Sequence, residues 1–309
     1  MGYVIGIDGG ATKTRCAAFD SEMRVLAETF GGSSNLTSLS QEEVRHNLTD
    51  LLDRFFLESN LLPEECSCLC LGSAGAGRKS ARKELKKILK EVLPQSHIFV
   101  TDDAISALTG GTGGGPGILL ISGTGSICLG RDSTGRVCRA GGWGHVMGDE
   151  GSGYDMACRM LRAIVCAHDG RAEPTLLTQL VFDYWGVAGI DELTDLVYRS
   201  GKGKSEIASL AFLCDIGYDK GDKPAVRIVK DCAEELAAMA AAVAEKLALP
   251  GEELPCLGAG SVLEKSLCLR KHLEAELREK GTGLRLARCR YDAAWGCGRL
   301  AWEQAGCVE

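Results

Sequence analysis

Apolar and polar positions alternate in blocks along the chain, and each block predicts an element. Tyr3-Val4-Ile5-Gly6-Ile7 is an apolar run that stops abruptly at Asp8-Gly9-Gly10, as a buried strand does on meeting a turn. Arg15 to Phe19 and Arg24 to Phe30 extend it into a meander with turns at Asp20-Ser21 and Gly31-Gly32. The period then becomes helical. Val44, Leu48, Leu51, Leu52, Phe55 and Phe56 share one face behind Ser40 and Glu43, a capping-box pair. A strand over Cys68 to Leu71, an amphipathic helix over Ser80 to Leu93 and a strand over His97 to Thr101 follow. This strand–helix–strand alternation predicts an α/β domain with a mixed sheet.

Gly110 to Gly117 (GGTGGGPG) reads as an exposed, flexible link to a second domain. No Gly-Lys-Ser/Thr follows, so it is not a Walker loop. Gly117 to Ile121 opens a second meander, after which long helices dominate, at about Ser152–His168, Ser205–Gly217 and Lys223–Leu249. The last places Val226, Val229, Ala233, Leu236, Ala240, Val243 and Leu247 on one face and is stopped by Pro250-Gly251. A strand near Leu254–Leu257 runs into Gly258-Ala259-Gly260-Ser261, and a final helix covers about Ala293–Ala305. Ile7 to Thr12 and Ile121 to Ser126 share one plan, an apolar strand that turns through glycines beside hydroxyls and returns. Two such hairpins predict two similar halves facing each other across a cleft.

Composition narrows the class. With 309 residues the chain is long enough for about two domains. A hydrophobic content of 45% and a charged content of 25% are those of a globular protein. The net charge of -7 argues against a partner made of nucleic acid or anionic membrane. The N-terminal MGYVIGIDGG carries no basic region followed by an apolar stretch and a cleavage site, and no apolar run reaches the ~18 residues of a membrane span. A cytoplasmic location is expected, with the 15 cysteines as reduced thiols. Cys66-Ser67-Cys68-Leu69-Cys70 lies on a strand, where alternate residues share a face, and reads as packed thiols in preference to a metal motif. His145 lacks a second ligand at metal spacing. The basic run from Arg78 to Lys90 reads as a solvated helix face.

Candidate chemistry sits at the glycine turns. Asp8-Gly9-Gly10-Ala11-Thr12-Lys13-Thr14 offers backbone N–H groups and hydroxyls for phosphates, and Asp8 can hold Mg²⁺, often through water. An ordinary hairpin with solvent-facing polar residues is the alternative. Ser122-Gly123-Thr124-Gly125-Ser126 has the same chemistry, and Gly260-Ser261 can admit a flat base against bare backbone. At Thr101-Asp102-Asp103, Asp103 reads as a helix cap and Asp102 as the carboxylate pointing into the cleft, sufficient as a base for phosphoryl transfer. Gly141 to Gly153 holds six glycines, too many for a helix or strand interior, and reads as a site-lining loop. In it Trp143 can face a sugar ring, and Asp149 or Glu150 can accept from its hydroxyls.

These residues resemble a family. Ile5 to Thr14, Ile121 to Ser126 and, above all, Gly141-Gly142-Trp143-Gly144-His145 with Met147-Gly148-Asp149-Glu150-Gly151-Ser152 are similar to the N-acetylglucosamine kinases of the BadF/BadG/BcrA/BcrD ATPase family, within the actin/hexokinase/Hsp70 superfamily. The resemblance implies an α/β fold of two ribonuclease-H-like domains of the actin/hexokinase type flanking an interdomain nucleotide and sugar cleft. The expected domains are 1–112, completed by a C-terminal helix at about 291–309, and 113–290 with a helical insert. ATP and Mg²⁺ are the implied cofactors. Asp8, Gly9, Gly10, Thr12, Lys13, Ser122, Gly123, Thr124, Gly260 and Ser261 would serve ATP, with Mg²⁺ at Asp8 through water. Asn35, Ser126, Gly142, Trp143, Gly144 and Asp149 would contact the sugar, and Asp102 would take the C6 hydroxyl proton. Mammalian members carry Asn where this chain has Ile127, so glucosamine and N-acetylmuramic acid stand beside N-acetylglucosamine as implied substrates. The implied partners are a small-molecule sugar and, since relatives are often dimers, a second copy of the chain. A different class on the same fold is an ATP-driven activator that donates electrons to a 2-hydroxyacyl-CoA dehydratase or benzoyl-CoA reductase. Its cysteine-containing Ala-Ala-Gly-Thr-Gly segment is absent here.

Overall fold

A computed structural model describes residues 2–10, 12–199, 201–249 and 254–306. The chain divides into two compact units, Met1–Pro116 with Arg288–Glu309, and Gly117–Ala287.

The first unit is built on a five-stranded sheet. Strands β1 (Tyr3–Gly9), β2 (Thr14–Phe19) and β3 (Val25–Gly31) form the expected antiparallel meander. Helix α1 (Gln41–Ser59) begins at the Ser40–Glu43 capping box, in which the Ser40 hydroxyl accepts from the Glu43 N–H and the Glu43 carboxylate from the Ser40 N–H. Strand β4 (Cys66–Ser73), helix α2 (Lys79–Val92), strand β5 (His97–Asp102) and helix α3 (Asp103–Thr112) complete the run. The strand order is β3-β2-β1-β4-β5, with β1, β4 and β5 parallel.

Because strand residues alternate in direction, β1 feeds two cores. Tyr3, Ile5 and Ile7 pack with Leu48, Leu51, Leu69 and Ile88, whereas Val4 packs with Ala17, Phe19, Cys68 and Cys70 against Cys297, Leu300 and Ala301 of the C-terminal helix, Ala293–Ala305. A strand covered on both faces is apolar throughout, which is why Tyr3 to Ile7 shows no alternation. Cys66, Cys68 and Cys70 are buried thiols, as their strand position implies.

The glycine-rich stretch is the main correction. Gly110 and Gly111 are buried inside α3, not part of an exposed link. A side chain at Gly110 would strike the Asp292 carbonyl, and Gly111 and Gly110 accept backbone bonds from Arg290 and Tyr291. Here glycine serves close approach of the helix to the segment leading into the C-terminal helix, and flexibility was the wrong inference from composition.

The second unit repeats the plan. Strands β6 (Gly117–Ser122), β7 (Ser126–Arg131) and β8 (Val137–Gly141) form a meander. Helices α4 (Gly153–His168), α5 (Leu176–Trp185), α6 (Ile190–Tyr198), α7 (Lys204–Ala208), α8 (Ala211–Asp219) and α9 (Lys223–Lys246) follow. Strand β9 (Leu254–Ala259), helices α10 (Ser261–Lys265) and α11 (Leu267–Glu279) and strand β10 (Leu284–Ala287) close it. The order β10-β9-β6-β7-β8 matches that of the first sheet, a three-stranded meander extended by two parallel strands. The expected helix Ser205–Gly217 breaks into α7 and α8, and α9 ends at Lys246, short of Leu249. The predicted stop at Pro250-Gly251 lies outside the described residues, as does Ala11. Helices α5, α6 and α11 and strand β10 escaped the sequence reading. The fold is the two-domain α/β architecture expected from the motifs.

Candidate active site

In the first unit the register fixes which residues share the carboxyl edge of the sheet. Gly9 is opposite Ser73, and Ser73 opposite Asp102, so Asp8 and Asp102 lie in neighbouring rows. The hairpin after β1 is closed by Gly10, whose N–H donates to the Lys13 carbonyl at 3.0 Å and is thereby engaged in the turn. Gly9 leaves room for the Ser34 hydroxyl, which a side chain there would overlap. The Ser34 and Thr14 hydroxyls are buried and have no partner among the described residues, and Thr14 is the strand partner of Gly9. The Thr14 hydroxyl was expected among the phosphate donors, whereas Ser34 did not figure in the sequence reading. The polar cluster Ser33-Ser34-Asn35 behind Gly31-Gly32 was the available signal. Asn35 turns its side chain back to accept from the Thr37 N–H at 2.8 Å.

Burial, and then the nearby Asp292 carboxylate, raise the Asp8 pKa, against the opposing pull of Arg15 and Lys13. The helix cap falls on Asp102, where Asp103 was expected. Asp102 is the N-cap of α3, its carboxylate accepting from the Ala104 N–H at 3.1 Å. Asp103 occupies the first helical position and accepts from the same N–H at 3.0 Å. Burial first, then the adjacent Asp102 carboxylate and more weakly Asp8, push the Asp103 carboxyl up to about 6. The chain leaves β5 one residue later than expected, and that single step moves the cap.

In the second unit three loops converge. The Ser122 hydroxyl donates to the Gly151 carbonyl and the Ser126 hydroxyl to the Glu150 carbonyl, each at 2.7 Å, and the Gly153 N–H donates to the Gly123 carbonyl at 2.8 Å. The β6–β7 hairpin is thus fastened along the Asp149–Gly153 segment, with Thr124 exposed at its apex. Gly260 packs so closely on the Ser122 carbonyl that a side chain cannot fit, which brings the Gly260-Ser261 corner onto the same hairpin. Beside Ser261 a cavity of about 420 Å³ is walled by Met156, Ala208, Phe212, Val262 and Lys265. Ser209, Asp215 and Ser266 also line it, so the walls are half apolar and half polar.

Asp149 is buried, with a left-handed φ of 65°, an uncommon backbone state for a residue with a side chain. One carboxylate oxygen accepts a long bond from the Ser126 N–H at 3.4 Å, and the other receives the Lys204 ammonium at 2.6 Å. Gly151, at φ 72°, leaves space that a side chain would fill 2.6 Å from Leu236. Trp143 is 60% exposed, with the Arg139 guanidinium 4.0 Å from its ring centre. Ile127 lies where a side chain on Gly142 would fall, so the residue that departs from the resembled pattern shapes the Gly141–Gly153 backbone by packing. His145 sets its ring edge-on to Tyr154 at 5.0 Å. Lys204 and Tyr154 are further site residues that the sequence reading missed, because nothing local marks them.

Among the described residues no group of three or more His, Cys, Asp or Glu side chains could hold a metal ion. The thiols that prompted the electron-donor alternative are mostly buried, and burial pushes those of Cys68 and Cys256 up to about 12, which makes them inert. No helix among the described residues is long and apolar enough to cross a membrane.

Paired glycine hairpins on two like sheets, carboxylates at the edge of one and a tryptophan–aspartate loop on the other, define an ATPase-type α/β protein equipped for phosphates and a polyol. The chain belongs to the BadF/BadG/BcrA/BcrD ATPase family, whose model matches residues 5–296. It is 37% identical over 296 residues to the N-acetylmuramic acid/N-acetylglucosamine kinase of Clostridium acetobutylicum, covering 96% of this chain and 97% of that one. It is 29% identical to the N-acetyl-D-glucosamine kinase of Dictyostelium discoideum, over 96% and 97% of the two chains. A solved structure from Chromobacterium violaceum, assigned as an N-acetylglucosamine kinase, superposes with a TM-score of 0.68 at 27% identity, over 97% and 99%.

Proposed function

We propose that this protein transfers the γ-phosphoryl group of ATP to the C6 hydroxyl of an N-acetylated amino sugar. The observation that carries the reading is the fastening of the Trp143–Gly153 loop to the β6–β7 phosphate hairpin through Ser122, Ser126 and Gly153. A loop that offers an exposed indole face and a buried carboxylate to a sugar is held in register with a turn that offers a hydroxyl and N–H groups to phosphate. The names of the relatives support the substrate class, and they favour a kinase over an electron-donating activator.

The residues at β1 fit a magnesium–nucleotide. Asp8 is a desolvated carboxylate short of compensating cation, and the orphaned Thr14 and Ser34 hydroxyls beside Gly9 are hard oxygen donors of the kind Mg²⁺, its waters or phosphate would engage. When bound, Mg²⁺ supplies neutralisation of the developing phosphate charge. Thr12, Lys13, Gly123 and Thr124 serve the phosphates and Gly260-Ser261 the adenosine end. Asn35, Trp143 and Asp149 hold the sugar.

The proton acceptor in this mechanism is the Asp102–Asp103 pair, two carboxylates that accept from the same Ala104 N–H at the start of α3. As the C6 oxygen bonds to the γ-phosphorus and the bond to the bridging β–γ oxygen breaks, the C6 proton passes to the Asp102–Asp103 pair and ADP departs. A carboxyl raised to about 6 is a stronger base than an ordinary one and is still ionised at neutral pH. The test is ADP release with N-acetylglucosamine, glucosamine, N-acetylmuramic acid, N-acetylmannosamine and glucose. Turnover with the first or third refines the reading, and no stimulation by any sugar refutes it.

A further inference from the structure

We propose that the second unit carries a pocket beside its sugar loop that receives a carboxylate-bearing substituent of the sugar, of the kind the lactyl ether of N-acetylmuramic acid presents. The proposal rests on the amino-sugar kinase reading and narrows it. The pocket is a cavity of about 780 Å³ walled by α4, α6 and the segment leading into α7. Arg162, Arg171 and Lys202 line it, and no Asp or Glu does. That bias runs against the whole chain, in which 42 acidic residues outnumber 35 basic ones.

Two of the three cations are already engaged, Arg171 by Asp169 at 2.8 Å and Lys202 by Glu206 at 2.9 Å. Arg162 has no carboxylate partner among the described residues. Its planar fork is the group that pairs with a carboxylate through two parallel hydrogen bonds. Leu161, Val197 and Ile207 supply an apolar wall for the carbon skeleton of such a substituent.

What ties the cavity to the sugar loop is Tyr154. It lines the cavity, its ring stands against His145 at 5.0 Å, and the Lys204 ammonium lies 6.0 Å from its centre while holding Asp149 at 2.6 Å. One aromatic side chain is therefore the wall shared by the cavity and by the loop that carries Trp143 and Asp149. A sugar held there directs one substituent past Tyr154 toward Arg162. A neutral sugar leaves Arg162 hydrated, so the selectivity acts on acidic sugars alone.

The test is steady-state kinetics with N-acetylmuramic acid and N-acetylglucosamine on the wild type, Arg162→Ala, Arg162→Lys and the Arg162→Ala/Lys202→Ala double variant. Arg162 is exposed, so truncation leaves the core packing untouched. The expected result is a rise of at least about tenfold in KM for N-acetylmuramic acid in Arg162→Ala, larger in the double variant and partly restored by Lys, with kcat nearly constant. KM for N-acetylglucosamine stays within about twofold throughout, and added salt weakens use of the acidic sugar only. A wild type that phosphorylates N-acetylglucosamine but not N-acetylmuramic acid overturns the pocket, as does a variant that alters both sugars alike or neither. A wild type inactive on both sugars overturns this inference, and one inactive on glucosamine, N-acetylmannosamine and glucose as well refutes the kinase reading itself.

Discussion

Replacing Asp103 by Asn separates catalysis from stability, because the two respond in opposite directions. The Asn oxygen keeps the hydrogen bond from the Ala104 N–H, while the charge that burial and Asp102 oppose is removed. An ordinary Asp titrates at 3.8, and Asp103 is pushed up to about 6. Ionisation is therefore disfavoured in the folded state. The penalty is absent below the unfolded pKa of 3.8, grows between 3.8 and about 6, and is complete above that. Two pKa units correspond to a ceiling of about 3 kcal/mol. Partial exposure, coupling to Asp102 and the lost attraction between a first-turn carboxylate and the helix N-terminus, about 0.5 kcal/mol, reduce the net gain to about 1 kcal/mol. Thermal unfolding at pH 7.5 should then show Asp103→Asn melting about 2–4 °C above the wild type, with no gain near pH 4. Turnover in the same preparation should fall by about 10²–10⁴-fold. A variant that melts lower at pH 7.5, or that keeps near-normal turnover, refutes the assignment of Asp103 as a buried, destabilised base.

Asp102→Asn should behave differently. Asn caps helices about as well as Asp, so its melting temperature changes little. Turnover falls here too, and the acidic limb of the kcat profile moves to lower pH once the carboxylate that raises Asp103 is gone. Ser34→Ala should raise the stability of the free protein by about 1 kcal/mol, because it removes a buried hydroxyl without a partner, and should diminish the rise in melting temperature that ATP and Mg²⁺ produce. Gly6→Ala, which places a methyl group against the backbone of Ala294 and Gly298, should cost about 3 kcal/mol in chemical denaturation. Gly151→Ala combines a left-handed φ with an overlap on Leu236 and should lower both stability and affinity for the sugar, read by denaturation and by calorimetric titration.

What the sequence made legible were features written locally. The capping box at Ser40, the meanders, the final helix Ala293–Ala305 and the loops at Asp8, Ser122 and Gly141–Gly153 each depend on neighbours a few residues apart. Features that depend on distant partners were lost. Gly110 looked flexible because the Asp292 carbonyl that fills the space beside it is far away in sequence. Lys204 carries no mark of its tie to Asp149, and Tyr154 none of its place between loop and cavity. Helices α5 and α6 are short, and the apolar faces of α5, α6 and α11 are read only against the elements they pack on. The position of the α3 cap was missed for another reason. Either residue can cap a helix, and only the register of β5 with β4, which carries the strand to Asp102, decides which one does.

The two sheets share an order but divide the chemistry. The first ends in carboxylates held partly dehydrated, Asp8 and Asp103, together with two buried hydroxyls that have no partner among the described residues. All of these are states of high free energy in the free protein. The second ends in backbone N–H groups, hydroxyls and an indole, and its polar side chains are tied down by Gly151, Glu150 and Lys204. A reaction that moves a proton and a phosphoryl group needs a base that gains by accepting the proton and donor groups that do not have to reorganise as charge shifts. Strain in the first unit supplies the former and rigidity in the second the latter. Relaxing the strained unit should therefore raise stability and lower turnover together, whereas loosening the rigid one should lower both.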